Sequence, residues 1–365
     1  METIRTTLSG IIHRDRPSPW LIPLHVLSLC YAGIISIRNI LYDCGLLTQK
    51  RAKTSVISIG NITVGGTGKT PAVITLAGLL QHEGYRPAVV SRGYGGKSSN
   101  AINVVADGDK ILMKPDAAGD EPVLIAKSLP TMPVITGKDR YAAAAYACRN
   151  FDIDIIILDD AFQHRALSRD VDILLLDAQR PFGNGWLIPC GALREPSGSV
   201  IRADIIVMTG NEVKNVSSLA DMIEKRFPGK PVFSGYRRAR DIVAGRSGEI
   251  LPSSFVAGKK VFAFSGIARP DSFLATITSL GGIMAGTLIF PDHHAYERDD
   301  LARIAGDAAA KGAEIILTTE KDSMKLFDFA DFLRDIFVLR ITMDVTQPGR
   351  FRELILAKLG KRAGM

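Results

Sequence analysis

The sequence has little of what a disulfide-stabilised or zinc-stabilised fold needs. It contains four cysteines in 365 residues, and Cys30, Cys44, Cys148 and Cys190 are scattered, with no Cys-x-x-Cys pair among them. A disulfide framework or structural zinc site is therefore not expected, and a reducing, cytosolic setting fits this cysteine usage. Internal repeats and low-complexity tracts are also missing, so a repeat array is not expected.

Acidic residues are outnumbered, with 38 Asp and Glu against 45 Lys and Arg and a formal net charge of +7. This balance favours anionic partners, which could be phosphates, acidic lipid headgroups or nucleic acid. Nucleic acid is not expected, because the sequence has no recognition module and no stripe of aromatic and basic residues. A length of 365 residues with 46% hydrophobic residues allows a large core and predicts two domains.

A long membrane-spanning run is missing too. The longest apolar stretch, residues 21–37, would extend about 26 Å as a helix, less than the roughly 30 Å of a bilayer core. Basic residues flank it on both sides, which suits a helix lying in an anionic leaflet, with Trp20 and Tyr31 as interfacial anchors. A helix buried against the protein body and a single spanning helix are the alternatives, and a cleaved signal peptide is disfavoured.

From about residue 54, apolar runs alternate with helical patterns. Continuous Ile, Val and Leu runs such as residues 155–158 are typical of strands buried on both faces of a mostly parallel sheet. The alternation predicts a doubly wound α/β domain. Its predicted strands are 56–59, 88–91, 134–136, 153–158, 171–176 and 205–208, with helices at 71–82, 120–129 and 139–149.

A second, smaller α/β domain is predicted to begin near residue 231, after a polar helix and boundary at 211–230. Its predicted strands are 232–234, 261–264 and 315–318. The expected organisation is therefore a membrane-associating helix region at 1–50, a phosphate-loop domain at 51–230 and a C-terminal domain at 231–365.

The strongest chemical motif is Val-Gly-Gly-Thr-Gly-Lys-Thr at residues 64–70. Between a predicted strand and a predicted helix, it has the context of a phosphate-binding P-loop. Gly65, Gly66, Thr67 and Gly68 would present backbone N–H groups to anionic oxygens, aided by the helix N-terminus. Lys69 would reach the β- and γ-phosphates, and the Thr70 hydroxyl would ligate Mg²⁺. The usual pattern has Gly at position 63, where this chain has Thr63.

Carboxylates follow the predicted strand 153–158 at Asp159 and Asp160. Two adjacent carboxylates repel one another without a cation, and phosphate-loop proteins use a carboxylate at such a strand end to hold Mg²⁺. A later loop contains Arg194, a candidate bidentate phosphate ligand, and Glu195, a candidate for the metal shell. An exposed Arg-Glu pair of little energetic weight is the alternative for these two.

Other candidate residues also have structural alternatives. Asp120 is at a helix start and reads from spacing alone as a cap. Arg140 is either a phosphate clamp or a surface cation. His164 follows the two carboxylates, where a functional role and a structural one are evenly balanced. His293 and His294 are adjacent, so they point apart, and one of them is a candidate proton shuttle.

Taken together, the motifs resemble one family, the tetraacyldisaccharide 4′-kinases of lipid A biosynthesis. They occur in the family's order up to about residue 325. The segments that carry the resemblance are residues 60–70, 91–94, 119–122, 139–141, 158–164, 193–196 and 292–294. Thr63 is shared with the family, whereas Ala161 stands where the family usually has Gly, and it would strain the loop if that position required a positive φ.

The resemblance implies that the chain transfers the γ-phosphate of ATP, with Mg²⁺, to the 4′-hydroxyl of a lipid disaccharide 1-phosphate, giving lipid IV-A. It also implies a peripheral location on the cytoplasmic face of the bacterial inner membrane. The rival interpretation is a membrane-associated deviant P-loop ATPase without a lipid acceptor. Those ATPases carry a signature Lys where this chain has Val64, which argues against the rival.

Site roles also follow from the resemblance. Lys69 would bind the ATP phosphates and Thr70 would ligate Mg²⁺, with Asp160 and Glu195 in the metal shell and Asp159 in support. Asp120 and His293 would form a dyad that removes the proton of the attacking hydroxyl, assembled by closure of the second predicted domain over the first. The weaker candidates for phosphate or substrate contacts are His164, Arg140 and Arg194.

Overall fold

The computed structural model describes residues 22–210 and 217–363, so the predicted anchor Trp20 and the first part of the 211–230 segment lie outside the described residues. The chain divides into two compact units. The first comprises the described parts of Met1–Arg92, Gly137–Tyr236 and Asp344–Met365, and the second comprises Gly93–Thr136 and Arg237–Met343. The division differs from the boundaries expected from the sequence, because residues 93–136 belong with the second unit.

The elements of the first part of the chain alternate as predicted. In chain order they are α1 (Ile22–Asp43), β1 (Ser55–Asn61), α2 (Lys69–His82), β2 (Pro87–Ser91), β3 (Ile102–Asp107), α3 (Pro115–Ala118), α4 (Asp120–Ser128), β4 (Pro133–Gly137), α5 (Arg140–Asn150), β5 (Ile155–Asp159), β6 (Val171–Asp177), β7 (Ile205–Gly210) and α6 (Ser217–Arg226).

The later elements include several that the sequence did not reveal. They are β8 (Val232–Ala244), β9 (Ile250–Pro252), β10 (Lys260–Ser265), α7 (Pro270–Ser279), β11 (Ile283–Ile289), α8 (Arg298–Ala310), β12 (Ile315–Thr319), α9 (Glu320–Lys325), α10 (Ala330–Arg334), β13 (Phe337–Val345) and α11 (Pro348–Ala363). Both β8 and β13 run from one unit into the other.

The first unit contains a parallel sheet in the order β8-β7-β6-β1-β5-β2. Its strands are buried on both faces, as their continuous apolar sequences require. Leu174, Leu176 and Met208 pack with residues of α6 and α1. Helix α11 covers β6, and its Phe351 meets Phe233 of β8 edge-on. This doubly wound arrangement confirms the predicted fold class.

The second unit is also α/β, with the parallel order β11-β10-β12-β13 and the antiparallel pair β8–β9. Alternate side chains of β10 enter two different cores. Val261 and Ala263 pack with Phe273 of α7, whereas Phe262 and Phe264 lie in the cluster that contains residues of α8. Helices therefore cover both faces of this sheet as well.

Helix α1 extends six residues beyond the predicted apolar run and ends at Asp43. Ser28, Ile35 and Asn39 are buried on the side of the helix that packs against the rest of the first unit. The opposite side is apolar and exposed, with Ile34 65% and Ile37 60% exposed. By length and composition alone the helix could cross a membrane, but one of its faces already packs against the protein.

Candidate functional site

The predicted phosphate loop joins the end of β1 to the start of α2. Gly65 and Gly68 have φ of 112° and 81°, in the left-handed region that residues with a side chain rarely adopt. Lys69 and Thr70 are the first two residues of α2. The unpaired N–H groups of the helix start therefore belong to the same loop as the lysine and the hydroxyl, which is the arrangement of an anion site.

Polar contacts that the sequence did not reveal support this loop. The buried Thr67 hydroxyl lies 3.0 Å from Nδ2 of Asn61, which donates to it. The Gln163 side chain donates in turn to the Asn61 carbonyl at 2.8 Å. On the other side, the N–H of Val64 donates to the carbonyl of Ala192 at 2.7 Å. These bonds fix the loop without using the Lys69 side chain.

Asp160 lies among cations at the end of β5. Arg194 Nη1 contacts its two carboxylate oxygens at 2.9 and 3.0 Å, and Lys69 Nζ lies 3.8 Å from Oδ2. Burial favours the neutral acid, but the attraction of Lys69 and Arg194 outweighs it and holds the pKa of Asp160 below its usual value. The carboxylate is therefore ionised, and the structure brings together three residues that the sequence had proposed separately.

Two other predicted site residues, Asp159 and Arg140, are less exposed than Asp160. Asp159 is buried and accepts a hydrogen bond from the Ser91 hydroxyl at 3.1 Å. Arg140 is buried, with Nη1 donating to the carbonyls of Gly137 and Lys138. Burial lowers the pKa of this guanidinium, and the nearby Asp159 charge opposes that effect. Arg140 is therefore not the surface cation that one alternative proposed.

His164 is held in its neutral form. Burial, followed by the repulsion of Arg140, lowers its pKa to about 4. Its carbonyl accepts from the Arg169 guanidinium at 3.1 Å. A neutral imidazole cannot serve as a cationic phosphate ligand near neutral pH, so any phosphate contact from His164 would come from a neutral ring N–H.

Glu195, for which the resemblance implied a place in the metal shell, lies in a buried network of ion pairs. Its side chain is 0% exposed, and its carboxylate accepts from Nδ2 of Asn39 at 2.9 Å and from Arg202 Nη1 at 2.9 Å. Arg38 approaches at 3.4 Å. Three donors therefore contact the carboxylate in a buried ion-pair network that docks α1, and the metal-shell role of Glu195 stays a prediction.

The Ala161 departure does not strain the loop. The positive φ in this segment belongs to Asp160, at 49°, a residue type that tolerates the left-handed region. The close approach lies instead at Gly60, where an added Cβ would be 2.7 Å from Cβ of Phe162. A glycine is needed at the end of β1, and alanine is accommodated at 161.

In the second unit, Asp120 and His293 lie together. Asp120 is the buried first residue of α4, and its Oδ2 is 3.4 Å from Nδ1 of His293. Burial would raise the pKa of Asp120, but the attraction of His293 and Lys321 outweighs it and keeps the pKa below its usual value. The resemblance had implied assembly by closure of two domains, whereas the structure forms this pair within one unit.

The neighbouring histidine is committed to other contacts. His294 Nε2 lies 2.8 Å from Oδ2 of Asp300, and its ring stacks on Phe290 with centroids 4.6 Å apart. It also meets Tyr296 edge-on at 5.2 Å. Of the two adjacent histidines, His293 is therefore the one that faces Asp120.

Hydrogen bonds stabilise the left-handed backbone conformation of His293. With φ of 62°, it donates its N–H to the Gly266 carbonyl at 3.3 Å. The Gly266 N–H donates in turn to the buried carboxylate of Asp322 at 3.0 Å. Tyr296 donates to the same oxygen of Asp322 at 3.1 Å. The surroundings thus fix a backbone conformation that a histidine seldom adopts alone.

Lys321 is the site residue that sequence reasoning missed. Its Nζ lies 3.0 Å from Oε1 of Glu121, 3.4 Å from Oδ1 of Asp292 and 3.3 Å from Nε2 of His293. A signal for it was present, because it follows strand β12 in Thr-Glu-Lys-Asp at residues 319–322. Charged residues at the carboxyl end of a parallel strand are the signal that had identified Asp159 and Asp160.

Comparisons with known proteins match most of the chain. The family profile described as tetraacyldisaccharide-1-P 4′-kinase matches residues 20–360. A tetraacyldisaccharide 4′-kinase of Syntrophus aciditrophicus is 44% identical over 94% of this chain and 94% of that protein. The corresponding protein of Desulfotalea psychrophila is 40% identical over 83% of this chain and 87% of that protein.

A solved structure is similar over nearly the whole chain. The structure of LpxK from Aquifex aeolicus in complex with ATP has a TM-score of 0.76 and 34% sequence identity, and the match covers 93% of this chain and 98% of that one. The similarity therefore extends over both units described above.

Proposed function

The chain belongs to the tetraacyldisaccharide-1-P 4′-kinase family, and we propose that it transfers the γ-phosphoryl group of ATP to the 4′-hydroxyl of a tetraacyldisaccharide 1-phosphate, giving lipid IV-A. The expected family and the kinase activity are confirmed by the relatives, and the deviant ATPase alternative is not favoured. The observation that carries the proposal within this chain is the group of Lys69, Arg194 and Asp160 beside a glycine loop at a helix start.

ATP would occupy the phosphate loop of the first unit. The backbone N–H groups at 65–68 and the start of α2 would hold its phosphates. Lys69 and Arg194 can exchange the Asp160 carboxylate for phosphate oxygens, because both interactions join a cation to an anionic oxygen. The buried Arg140 would add positive potential and the neutral His164 a ring N–H. Catalysis would then depend mainly on positioning and charge neutralisation.

Mg²⁺ suits the oxygen donors at the end of β5 and the start of α2. Among the residues that the structure describes, no group of three His, Cys, Asp or Glu side chains forms a metal cluster. That fits a magnesium ion, which is usually held by one or two carboxylates together with substrate phosphates and water. Thr70 and Asp160 would hold it, with Asp159 in support, and the ion would neutralise charge on the transferring phosphoryl group.

The proton of the acceptor hydroxyl would go to His293. Since Asp120 is ionised and nearest Nδ1, it would hold the proton on Nδ1 and leave the Nε2 lone pair for the hydroxyl. The bond between the γ-phosphorus and the bridging oxygen breaks as a new bond forms to the sugar oxygen, and ADP leaves. Distances in such dyads commonly shorten when substrate is bound.

Helix α1 would bring the protein to its lipid substrate. Its docked face includes Ser28, which donates to the Leu187 carbonyl at 2.8 Å, and Tyr31, which donates to the Arg194 carbonyl at 3.0 Å. A helix fastened in this way along one side cannot be surrounded by lipid, so we propose that it lies in the membrane interface with its apolar outer face buried. This supports peripheral attachment, and the family resemblance implies that the leaflet is the cytoplasmic one.

The kinase proposal is tested by transfer of radiolabelled γ-phosphate from ATP to glycolipid acceptors in detergent. Label should appear on the tetraacyldisaccharide 1-phosphate and stay absent when the 4′-hydroxyl is blocked. ATP hydrolysis that needs no acceptor and is stimulated by bare vesicles would instead favour the deviant ATPase.

The membrane proposal is tested by sedimentation with anionic vesicles. A double variant, Ile34→Asp with Ile37→Asp, should lower vesicle binding about tenfold or more, because two large apolar side chains lose their place in the interface. The matched control is Ile250→Asp, since Ile250 is 61% exposed but lies outside α1. Equal loss in both variants, or in neither, would contradict the assignment to α1.

A further inference from the structure

We propose that Lys321 is a positioning residue for the base. Its ammonium group selects the His293 tautomer that has a free lone pair on Nε2. The acceptor hydroxyl then replaces the ammonium group at that lone pair. The proposal rests on the proposed function, because it assigns a task to a neighbour of the Asp120–His293 pair. It concerns a residue outside the phosphate loop and outside that pair.

The geometry around Lys321 uses its full donor capacity. An ammonium group has three donors and no acceptor, and its three partners are Glu121, Asp292 and Nε2 of His293 at 3.0, 3.4 and 3.3 Å. Because the ammonium can only donate, Nε2 must accept and is therefore unprotonated. Nδ1, beside Asp120, then carries the ring proton.

The charge on Lys321 is secured by its surroundings. Burial favours the neutral amine, but the carboxylates of Glu121, Asp292 and Asp120 outweigh it and raise the pKa of Lys321 above its usual value. The side chain is only 19% exposed, so water competes weakly for its protons. Lys321 is thus a fixed cation at the basic nitrogen of His293.

Both residues are anchored to one structure. Lys321 is in the first turn of α9, whose Asp322 accepts from the Gly266 N–H at 3.0 Å. The Gly266 carbonyl accepts from the His293 N–H at 3.3 Å. The lysine and the histidine are consequently held in a set relation by short backbone links, and their approach does not depend on two long flexible side chains meeting by chance.

When the acceptor hydroxyl replaces the ammonium group at Nε2 of His293, Lys321 keeps its two carboxylate partners, Glu121 and Asp292. Charged and titratable groups of the same unit surround His293 on several elements. They are Asp120 and Glu121 of α4, Tyr94 in the turn after β2, Asp292 in the histidine's own loop, and Lys321 and Lys325 of α9.

The first test is direct and needs no catalysis. The chain has six histidines, so ¹⁵N-histidine labelling gives few imidazole signals, and loss of one in His293→Gln assigns it. In the wild type we expect the signals of the tautomer that has the ring proton on Nδ1 and none on Nε2. In Lys321→Met we expect the other tautomer, with the proton on Nε2, to appear as well. An unchanged tautomer in Lys321→Met would overturn the proposal.

The second test is turnover with the lipid acceptor. Lys321→Met should lower kcat roughly tenfold, because less of the enzyme then has a free lone pair on Nε2 of His293. KM for ATP should not change, and Lys321→Arg should restore kcat in part. The control Lys114→Met removes a 63% exposed lysine of the same unit and should leave kcat unchanged.

The outcomes distinguish a failure of the proposed function from a failure of the role proposed for Lys321. If the wild type transfers no phosphate to the lipid, the proposed function fails whatever Lys321 does. If the wild type is active but Lys321→Met loses turnover with the His293 tautomer unchanged and with no rescue by arginine, Lys321 is merely structural and only its positioning role fails.

Discussion

In the first unit a carboxylate is surrounded by cations, whereas in the second a cation is surrounded by carboxylates. Asp160 lies between Lys69 and Arg194, and Lys321 lies between Glu121 and Asp292. In both places the central group is kept charged despite its burial. The two clusters are therefore opposite in sign but alike in construction.

The difference determines which partner the cations of each cluster can exchange for a substrate group. Lys69 and Arg194 can trade a carboxylate for phosphate, so the first cluster is suited to bind a polyanion. Lys321 can release only a neutral nitrogen, so the second cluster is suited to make a base available. Variants of the first should alter nucleotide binding and transfer together, and variants of the second should alter proton removal while nucleotide binding persists.

The largest expected effect is that of Lys69→Ala. We expect kcat to fall a hundredfold or more and KM for ATP to rise, because a charge clamp on the transferring group is lost. The loss should be similar across the pH range, since no proton-transfer group is removed. The control Lys53→Ala changes an exposed lysine of the same unit, and near-normal turnover of Lys69→Ala would remove that residue from its role.

The next effect is that of Asp120→Asn, which we expect to lower kcat about a hundredfold through loss of the oriented base. ATP affinity, measured by calorimetry, should be unchanged, which distinguishes this variant from Lys69→Ala. The pKa of Asp120 lies below its usual value, so the carboxylate stays ionised above about pH 4.

The exposed neighbour Asp116 provides the matched control for that experiment. Asp116→Asn should leave both kcat and ATP affinity unchanged. If Asp120→Asn weakened ATP binding as much as it slowed turnover, the contrast between the two clusters would be wrong, because the second would then serve the nucleotide as well.

Local pattern predicted much of the fold. Strands such as β5 and β6 are continuous apolar runs that can be stable only when both faces are covered, and the glycine loop before α2 has a spacing that few other structures require. The strands β11 and β13 were missed, because partial burial leaves Ile283–Ile289 and Phe337–Val345 without the continuous or alternating pattern that identifies a strand.

The site was less predictable because its contacts join distant parts of the chain. From spacing alone, Asp120 is indistinguishable from a helix cap. The resemblance implied its pairing with His293, and the 3.4 Å approach of the two side chains is visible only in the structure. The choice between His293 and His294 was settled by Asp300 and Phe290, which occupy His294. Spacing along a sequence does not contain such information.

Glu195→Gln has the smallest expected effect on turnover and the clearest on stability. The change leaves Arg202 buried without its counter-charge, which should cost about 3 kcal/mol of unfolding free energy in denaturant titrations, while Glu224→Gln at an exposed site should cost almost nothing. Burial raises the pKa of Glu195, but the attraction of Arg202 outweighs it and holds the pKa below its usual value. The stabilisation is therefore present above about pH 4 and lost as the pH falls through the lower folded-state value, so wild type and variant should converge in acid. Unchanged stability together with a tenfold higher requirement for Mg²⁺ would instead place Glu195 in the metal shell, because a metal ligand affects ion binding more than folding.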